Sequence, residues 1–259
     1  MGNSILKLYN PLQILSGAYT LYYIDPNKST NNAIDITTLT EYINIDILHI
    51  CIPYTKDFIS FITRFINDYK PTLTLIHSTV AIGTTRDIYN SVDIYNSVNS
   101  IVAHTPVMGV HPNLTTSIQT FKKIVGVIKP EDKEPILEHF NSIKVIPEFY
   151  DSPEDSEAAK LMSTTYYGHN IRFMQELHRF CEDNNLNFDK VYKRTNEIYN
   201  EGYTKMGMPH VIRPILKYMG EGISRHCVWE NAKLLIDNKH KFIIAEEVVY
   251  VGKPKNDNL

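Results

Sequence analysis

Through residues 1–150, short apolar runs alternate with apolar positions at helical spacing. Leu21–Tyr22–Tyr23–Ile24 is one run, stopped by Asp25–Pro26. Ile47 through Ile52 is nearly continuous and closes at Pro53, as expected of a strand covered on both faces. Phe58, Ile59, Ile62, Phe65 and Ile66 then recur at helical spacing until Asp68–Tyr69–Lys70–Pro71 ends the helix. Further strands are predicted at Leu73–His77, Ile101–His104, Ile124–Ile128 and, more briefly, Ile143–Ile146 with Pro147 behind it. Strand, helix, strand in this rhythm builds βαβ units and a mostly parallel sheet. The hexapeptide DIYNSV occurs twice in tandem, at 87–92 and 93–98. Six residues are not a whole number of helical turns, so the copies cannot share a face. The repeat reads as a tolerated duplication in a surface helix or loop.

The texture changes at Asp151. Ser152–Pro153–Glu154–Asp155 is a helix start, with Ser at the N-cap, Pro at the first position and acids in the first turn. Ala159, Met162, Tyr166, Phe173, Leu177 and Phe180 follow at helical spacing until Asn184–Asn185, which predicts a helix of about 30 residues, long beside the usual three turns. Shorter helices are predicted over Phe188–Tyr203 and Val228–Ile236, while Phe242–Val251 carries mixed signals. The expectation is an α/β domain over 1–150 followed by a helical domain over 151–259. The long amphipathic helix predicts a homodimer.

Apolar residues are 43% of the 259 and charged ones 21%, a globular composition. A net charge of −3 supplies no basic footprint for nucleic acid. Cys51, Cys181 and Cys227 are far apart and odd in number, which suits a reducing compartment. No apolar run reaches the roughly 18 residues that span a bilayer. The N-terminus MGNSILKLYN is a poor secretory signal, and Leu6 stands where myristoylation wants Ser or Thr. A cytoplasmic protein without membrane or nucleic-acid partners is expected.

Asp25, after its strand, would suit the acid that holds an adenosine ribose in a dinucleotide fold, or a plain Asp–Pro turn. The Gly-rich loop that should precede such an acid is reduced here to Gly2, so the first strand and most of the loop are expected to be missing. A helix from Asn3 onward would then receive the pyrophosphate. His77–Ser78–Thr79–Val80, followed by Gly83–Thr84–Thr85, puts hydroxyls at a strand's carboxyl end, either as ligand contacts or as caps of the next helix. Lys160 and Thr164 lie one turn apart and share a helix face. Cys227 follows Arg225–His226 just before a helix, where a thiol would have a lowered pKa and serve as a nucleophile, or would be a buried spectator as most lone cysteines are. Histidines and cysteines show no metal-ligand spacing, so no metal is expected.

Three segments together resemble the UDP-glucose/GDP-mannose dehydrogenase family. Ile76 through Thr85 is similar to its E-S-T-V-P-P-G-T-T segment. Ser156–Glu157–Ala158–Ala159–Lys160–Leu161 is similar to its A-E-x-x-K-L helix, and Gly220 through Cys227 to its G-x-G-x-G-G-H-C nucleophile loop. The resemblance implies a Rossmann domain joined by a long helix to a helical dimerisation domain. It also implies NAD-dependent oxidation of a sugar alcohol to an acid through a cysteine thiohemiacetal and thioester. On that reading Cys227 is the nucleophile, Lys160 the oxyanion stabiliser, and Thr79 an orienting group for water and substrate. Gly2, Asp25, Pro53 and Thr79 would line the NAD site, with Arg213, Thr164, Asn231 and His226 on the side of the nucleotide sugar or other small hydroxyl substrate.

The departures lie in the catalytic machinery. The family's N-P-E-F-L-x-E-G stretch reads Thr105–Pro106–Val107–Met108–Gly109–Val110–His111–Pro112, without either glutamate. His111 is the candidate replacement base. Thr164 stands for an asparagine, Asn231 for an aspartate, and Ser224 and Arg225 for two glycines. A third, nucleotide-gripping domain is not expected. Altered catalysis, a non-catalytic binding or regulatory protein on the same fold, and a two-electron hydroxy-acid dehydrogenase all stay open.

Overall fold

The computed structural model describes residues 8, 20–23, 34–35, 43–92, 100–109, 113–220, 226–238 and 242–251. The chain divides into two compact units, Met1–Lys160 and Leu161–Leu259. In the first, β1 (Tyr22–Tyr23) and β2 (Ile34–Asp35) pair as a short parallel ribbon. The main sheet has the order β3 (Ile47–Ile50), β4 (Leu73–Ile76), β5 (Ile101–His104), β6 (Lys123–Gly126), β7 (Pro147–Tyr150). All neighbours run parallel except β5 and β6, which meet antiparallel where His104 faces Gly126. The fold is α/β with a mostly parallel sheet, as the apolar rhythm predicts.

Alternation along the central strands divides the interior into two cores. Leu73, Leu75, Ala103 and Val125 face one core, shared with α3 (Leu114–Thr120) and α4 (Lys133–Ser142) through Leu114, Ile118, Ile136 and Phe140. Ile50, Ile76 and Val102 face the other, closed by Phe58, Ile62 and Ile66 of α1 (Phe58–Tyr69) and Ile88 of α2 (Thr84–Ser91). α1 stops at Lys70, which is left-handed at φ 46° and returns its N–H to Ile66 O before Pro71. The first DIYNSV copy falls largely in α2 and buries Ile88 and Val92, so it is a core-facing helix. The second copy lies outside the described residues.

The predicted strand at 143–146 is displaced. Ile143 instead ends α4, Lys144 turns left-handed at φ 57°, and the strand begins at Pro147. β7 is the sheet's edge, where a first-residue proline gives up no ladder hydrogen bond. β6 likewise starts at Lys123 and ends at Gly126, short of the predicted Ile128.

α5 (Pro153–Asp183) is a 31-residue helix that begins in the first unit and continues in the second. Ser152 caps it, accepting the Asp155 N–H at 3.0 Å. Three of the residues chosen by spacing are exposed, however: Tyr166 at 62%, Phe173 at 50% and Phe180 at 55%. The buried residues of that helix include Leu161, Thr165, Met174 and Gln175 instead. In the second unit, the helix predicted over 188–203 is a π-turn (Asp189–Arg194) running into α6 (Thr195–Lys205). α7 (His226–Ile236) and α8 (Ile243–Val251) close on α5 at Gly168, where a Cβ would lie 2.5 Å from Val228 and 2.9 Å from Val248. The ambiguous tail is therefore helical. No described helix is long and apolar enough to cross a membrane.

Candidate active site

Because β3, β4 and β5 run parallel and in register, their carboxyl ends lie side by side. This is the edge at which α/β sheets bind ligands. The loop after β3 exposes Pro53. The loop after β4 is tied to it by the Ser78 hydroxyl, which donates to Ile52 O at 2.6 Å, while Thr79 stays partly exposed. Ser78 thus braces two loops rather than capping α2.

The cap of α2 comes from elsewhere. Its N-cap is Gly83, with φ 97° and no side chain to offer. Glu157 of α5, fully buried, supplies the acceptors: Oε2 takes the Gly83 N–H at 2.6 Å, and Oε1 takes the Thr85 N–H at 2.8 Å and hydroxyl at 2.6 Å. Burial pushes the Glu157 carboxyl up to about 7, against the pull of the Thr85 and Gly83 donors. Beside it Arg86 grips Glu154 through two bonds, of 2.5 and 3.0 Å, which hold that carboxyl below its usual range. The root of α5 fits against the sheet because Gly126 lacks a side chain. A Cβ there would meet Ser156 Oγ at 2.3 Å and Pro153 Cα at 2.6 Å.

Two lysines hold the segment after β5. Lys160 Nζ donates to Val107 O at 2.8 Å, and Lys123 Nζ donates to Pro106 O at 3.0 Å. Lys123 is buried, which lowers its ammonium to about 7. Under this segment lie four histidines. His77 Nδ1 meets two oxygens of Thr105, both at 2.9 Å, so that nitrogen carries the proton and Nε2 accepts from His49 Nδ1 at 2.9 Å. His104 stands with Nε2 3.2 Å from Ser78 O and Nδ1 2.7 Å from Ser156 Oγ, whose hydroxyl donates to Pro153 O at 2.8 Å. His139 packs on His49, ring centroids 5.2 Å apart. Burial brings His49 and His104 down to about 3 and His139 to about 4, and puts His77 well below its ordinary 6.5. All four are neutral at pH 7. Burial also pushes the Cys51 thiol up to about 11, which leaves it unreactive.

In the second unit Asn231 Nδ2 donates to Thr164 Oγ1 at 2.9 Å. Arg213 lies elsewhere in that unit, its guanidinium 4.4 Å above the Tyr199 ring and its backbone bonded on both sides to Asn200. His226 and Cys227 open α7, so Cys227 is the second residue of the helix rather than just before it. Their side chains, and Gly2, Asp25 and His111 altogether, lie outside the described residues. No cluster of three or more His, Cys, Asp or Glu among the described residues is arranged for a metal ion.

The roles of Glu157, His104 and Lys123 are not apparent from the sequence. A signal existed for Glu157: a helix starting on glycine needs an outside acceptor for its first amides. None existed for Lys123, since a lysine opening a strand ordinarily reads as a solvated charge.

No protein-family model matches the chain. The UDP-N-acetyl-D-mannosamine dehydrogenase of Methanocaldococcus jannaschii is 22% identical to it over 231 residues, 80% of this chain and 51% of that protein. The chain thus spans about half the length of the curated relatives it matches. Among solved structures, the UDP-D-ManNAc dehydrogenase of Pyrococcus horikoshii aligns with a TM-score of 0.65 at 18% identity, covering 80% of this chain and 50% of that one. The 3-hydroxyisobutyrate dehydrogenase of Mycobacterium tuberculosis aligns with a TM-score of 0.64 at 11% identity, over 95% of this chain and 87% of that one. Both structural likenesses are likenesses of fold.

Proposed function

We propose, on the premise that this chain is a distant relative of the UDP-glucose/GDP-mannose dehydrogenase family, that it is an NAD-linked oxidoreductase acting on a hydroxyl group of a nucleotide sugar. The observation that carries the reading is the arrangement at the sheet's carboxyl edge. Lys160 projects from the second turn of α5 onto the Val107 carbonyl, and the Thr79 loop is bonded to the same helix. The lining there is compatible with a dinucleotide: Pro53 is exposed, Thr79 is partly exposed, and the buried Glu157 carboxylate is turned away onto amides. Pro53 and Thr79 would hold NAD together with Gly2 and Asp25, and the bound cofactor supplies the hydride acceptor.

Lys160 exchanges the Val107 carbonyl for the substrate oxygen and stabilises its negative charge. Thr79 orients that oxygen. Oxidation of the alcohol to the aldehyde would release one hydride to one NAD and a proton to solvent. The Cys227 thiol would then add to the aldehyde carbon as a thiohemiacetal, whose oxidation would release a hydride to a second NAD and a proton, leaving a thioester that water would cleave to the acid and the free thiol. Thr164, aligned by Asn231, and Arg213 bind the sugar nucleotide with His226. His111 takes the proton of the attacking water in place of the missing glutamates.

A second reading is a two-electron oxidation in which Cys227 is a spectator. It is favoured by the segment Thr105–Gly109, which contains no carboxylate to activate water for thioester cleavage.

The test is NAD(H) and NADP(H) binding, followed through Trp229 fluorescence and by calorimetry, and then turnover of UDP-sugars, GDP-mannose and small hydroxy acids. Micromolar binding with Cys227→Ser inactive is the expected result. Binding with Cys227→Ser fully active selects the second reading. No binding by either method up to millimolar ends the oxidoreductase assignment in favour of a binding protein on this fold.

A further inference from the structure

We infer that Glu157 is a positioning residue: its carboxylate locks the loop that carries Thr79 to the root of the helix that carries Lys160, and so sets the spacing of those two groups. The inference rests on the reading of Thr79 and Lys160 as parts of a dehydrogenase site. Glu157 has no exposed surface, and both its oxygens are used. Its partners sit 72 and 74 residues away, at the end of the β4 loop and in the first turn of α2. The negative charge also faces the positive end of the α2 dipole. α2 therefore presents amides already taken, and the β4 loop is fastened at Gly83 to the helix from which Lys160 projects one turn later.

The charged and titratable groups around this lock are few. On α5 they are Glu154, one turn earlier, and Lys160, bonded to Val107 O. On α2 there is Arg86, committed to Glu154. On β5 there is His104, bonded to the neighbouring Ser156. The loop from Ser78 to Gly83 contributes none. A proton on Oε1 would turn the Thr85 hydroxyl from donor to acceptor and remove the charge from both amides, so the locked form is the carboxylate.

The test uses the full chain labelled with ¹⁵N. The Gly83 and Thr85 amide protons are followed between about pH 6 and 8.5, the part of the range around a raised carboxyl pKa in which the unit stays folded. Both are expected to move together with one midpoint and to lie downfield in the carboxylate form. In Glu157→Gln that titration disappears, and NAD(H) affinity falls at least about tenfold with the far-ultraviolet circular dichroism unchanged. Thr85→Val, which removes one donor and leaves the amides, guards against a Gln variant that does not fold. Its Gly83 titration is expected to shift to higher pH. Amides that titrate alike in native and Glu157→Gln protein, or an unshifted midpoint in Thr85→Val, would overturn the lock. A lost titration with undiminished NAD(H) affinity would overturn its positioning role. Native protein that binds no dinucleotide brings down the dehydrogenase reading and the positioning role with it, while the amides still decide whether the lock exists.

Discussion

Lys160 donates to a backbone carbonyl, so its removal has two separable effects. Lys160→Ala leaves Val107 O without this donor, which costs on the order of 1 kcal/mol of stability. Loss of the oxyanion partner lowers turnover by about 10²–10³. Thermal melts and steady-state rates on the same preparation separate the two, and a variant as active as the native enzyme would remove Lys160 from the chemistry. Single residues are legible in the chain where residue type and position suffice. Lys160 and Thr79 could be singled out from their segments. The roles of Glu157, His104 and Lys123 depend on partners 17 to 74 residues away that no local pattern encodes.

The elements most legible in the chain were those with one-sided burial at a clear period. α1 buries Phe58, Ile62 and Ile66 four residues apart, and β4 is buried at all four positions. α3 buries only Leu114 and Ile118, too little periodicity to stand out. The last strand was misplaced because Ile143 and Val145 are buried in a helix end and a turn, where apolarity carries no strand information. Where α5 meets the sheet, the geometry leaves no room for a side chain on β6. Gly126→Ala is expected to destabilise by about 1–3 kcal/mol, since the backbone of Pro153 cannot yield as a side chain could. Chemical denaturation would measure it. A loss under a few tenths of a kcal/mol would mean that the root of α5 can shift.

At the scale of the whole molecule, four neutral imidazoles in one unit make the fold acid-labile. Their folded pKa values lie below the unfolded value of about 6.5, so the unfolded chain takes up protons first as pH falls. The histidine contribution is full above pH 6.5 and declines as pH drops toward 4, at about 1.4 kcal/mol per pH unit for each histidine, while buried Lys123, lowered from 10.5 to about 7, loses its contribution over that higher range. Glu157 acts oppositely between about 7 and 4.5, because its folded pKa is raised, but it is one group against four. Loss of the first unit's structure between about pH 6 and 4.5 is expected in denaturant titrations at stepped pH, given typical stabilities of 5–15 kcal/mol. A flat profile down to pH 4 would contradict the neutral, buried assignment. Tyr166, Phe173 and Phe180 repeat every seven residues on α5 and stay exposed, a stripe suited to a second copy of the same helix. Sedimentation should give about twice the 29.9 kDa chain mass, and Phe173→Asp should return it to one.

The cap of α2 also orders events in time. An eight-residue helix that starts on glycine is too short to persist on its own. Its first amides wait for an acceptor 72 to 74 positions downstream, so during synthesis the helix and its loop stay incomplete until α5 has emerged. The β4 loop is therefore finished, at its Gly83 end, only when the long helix docks.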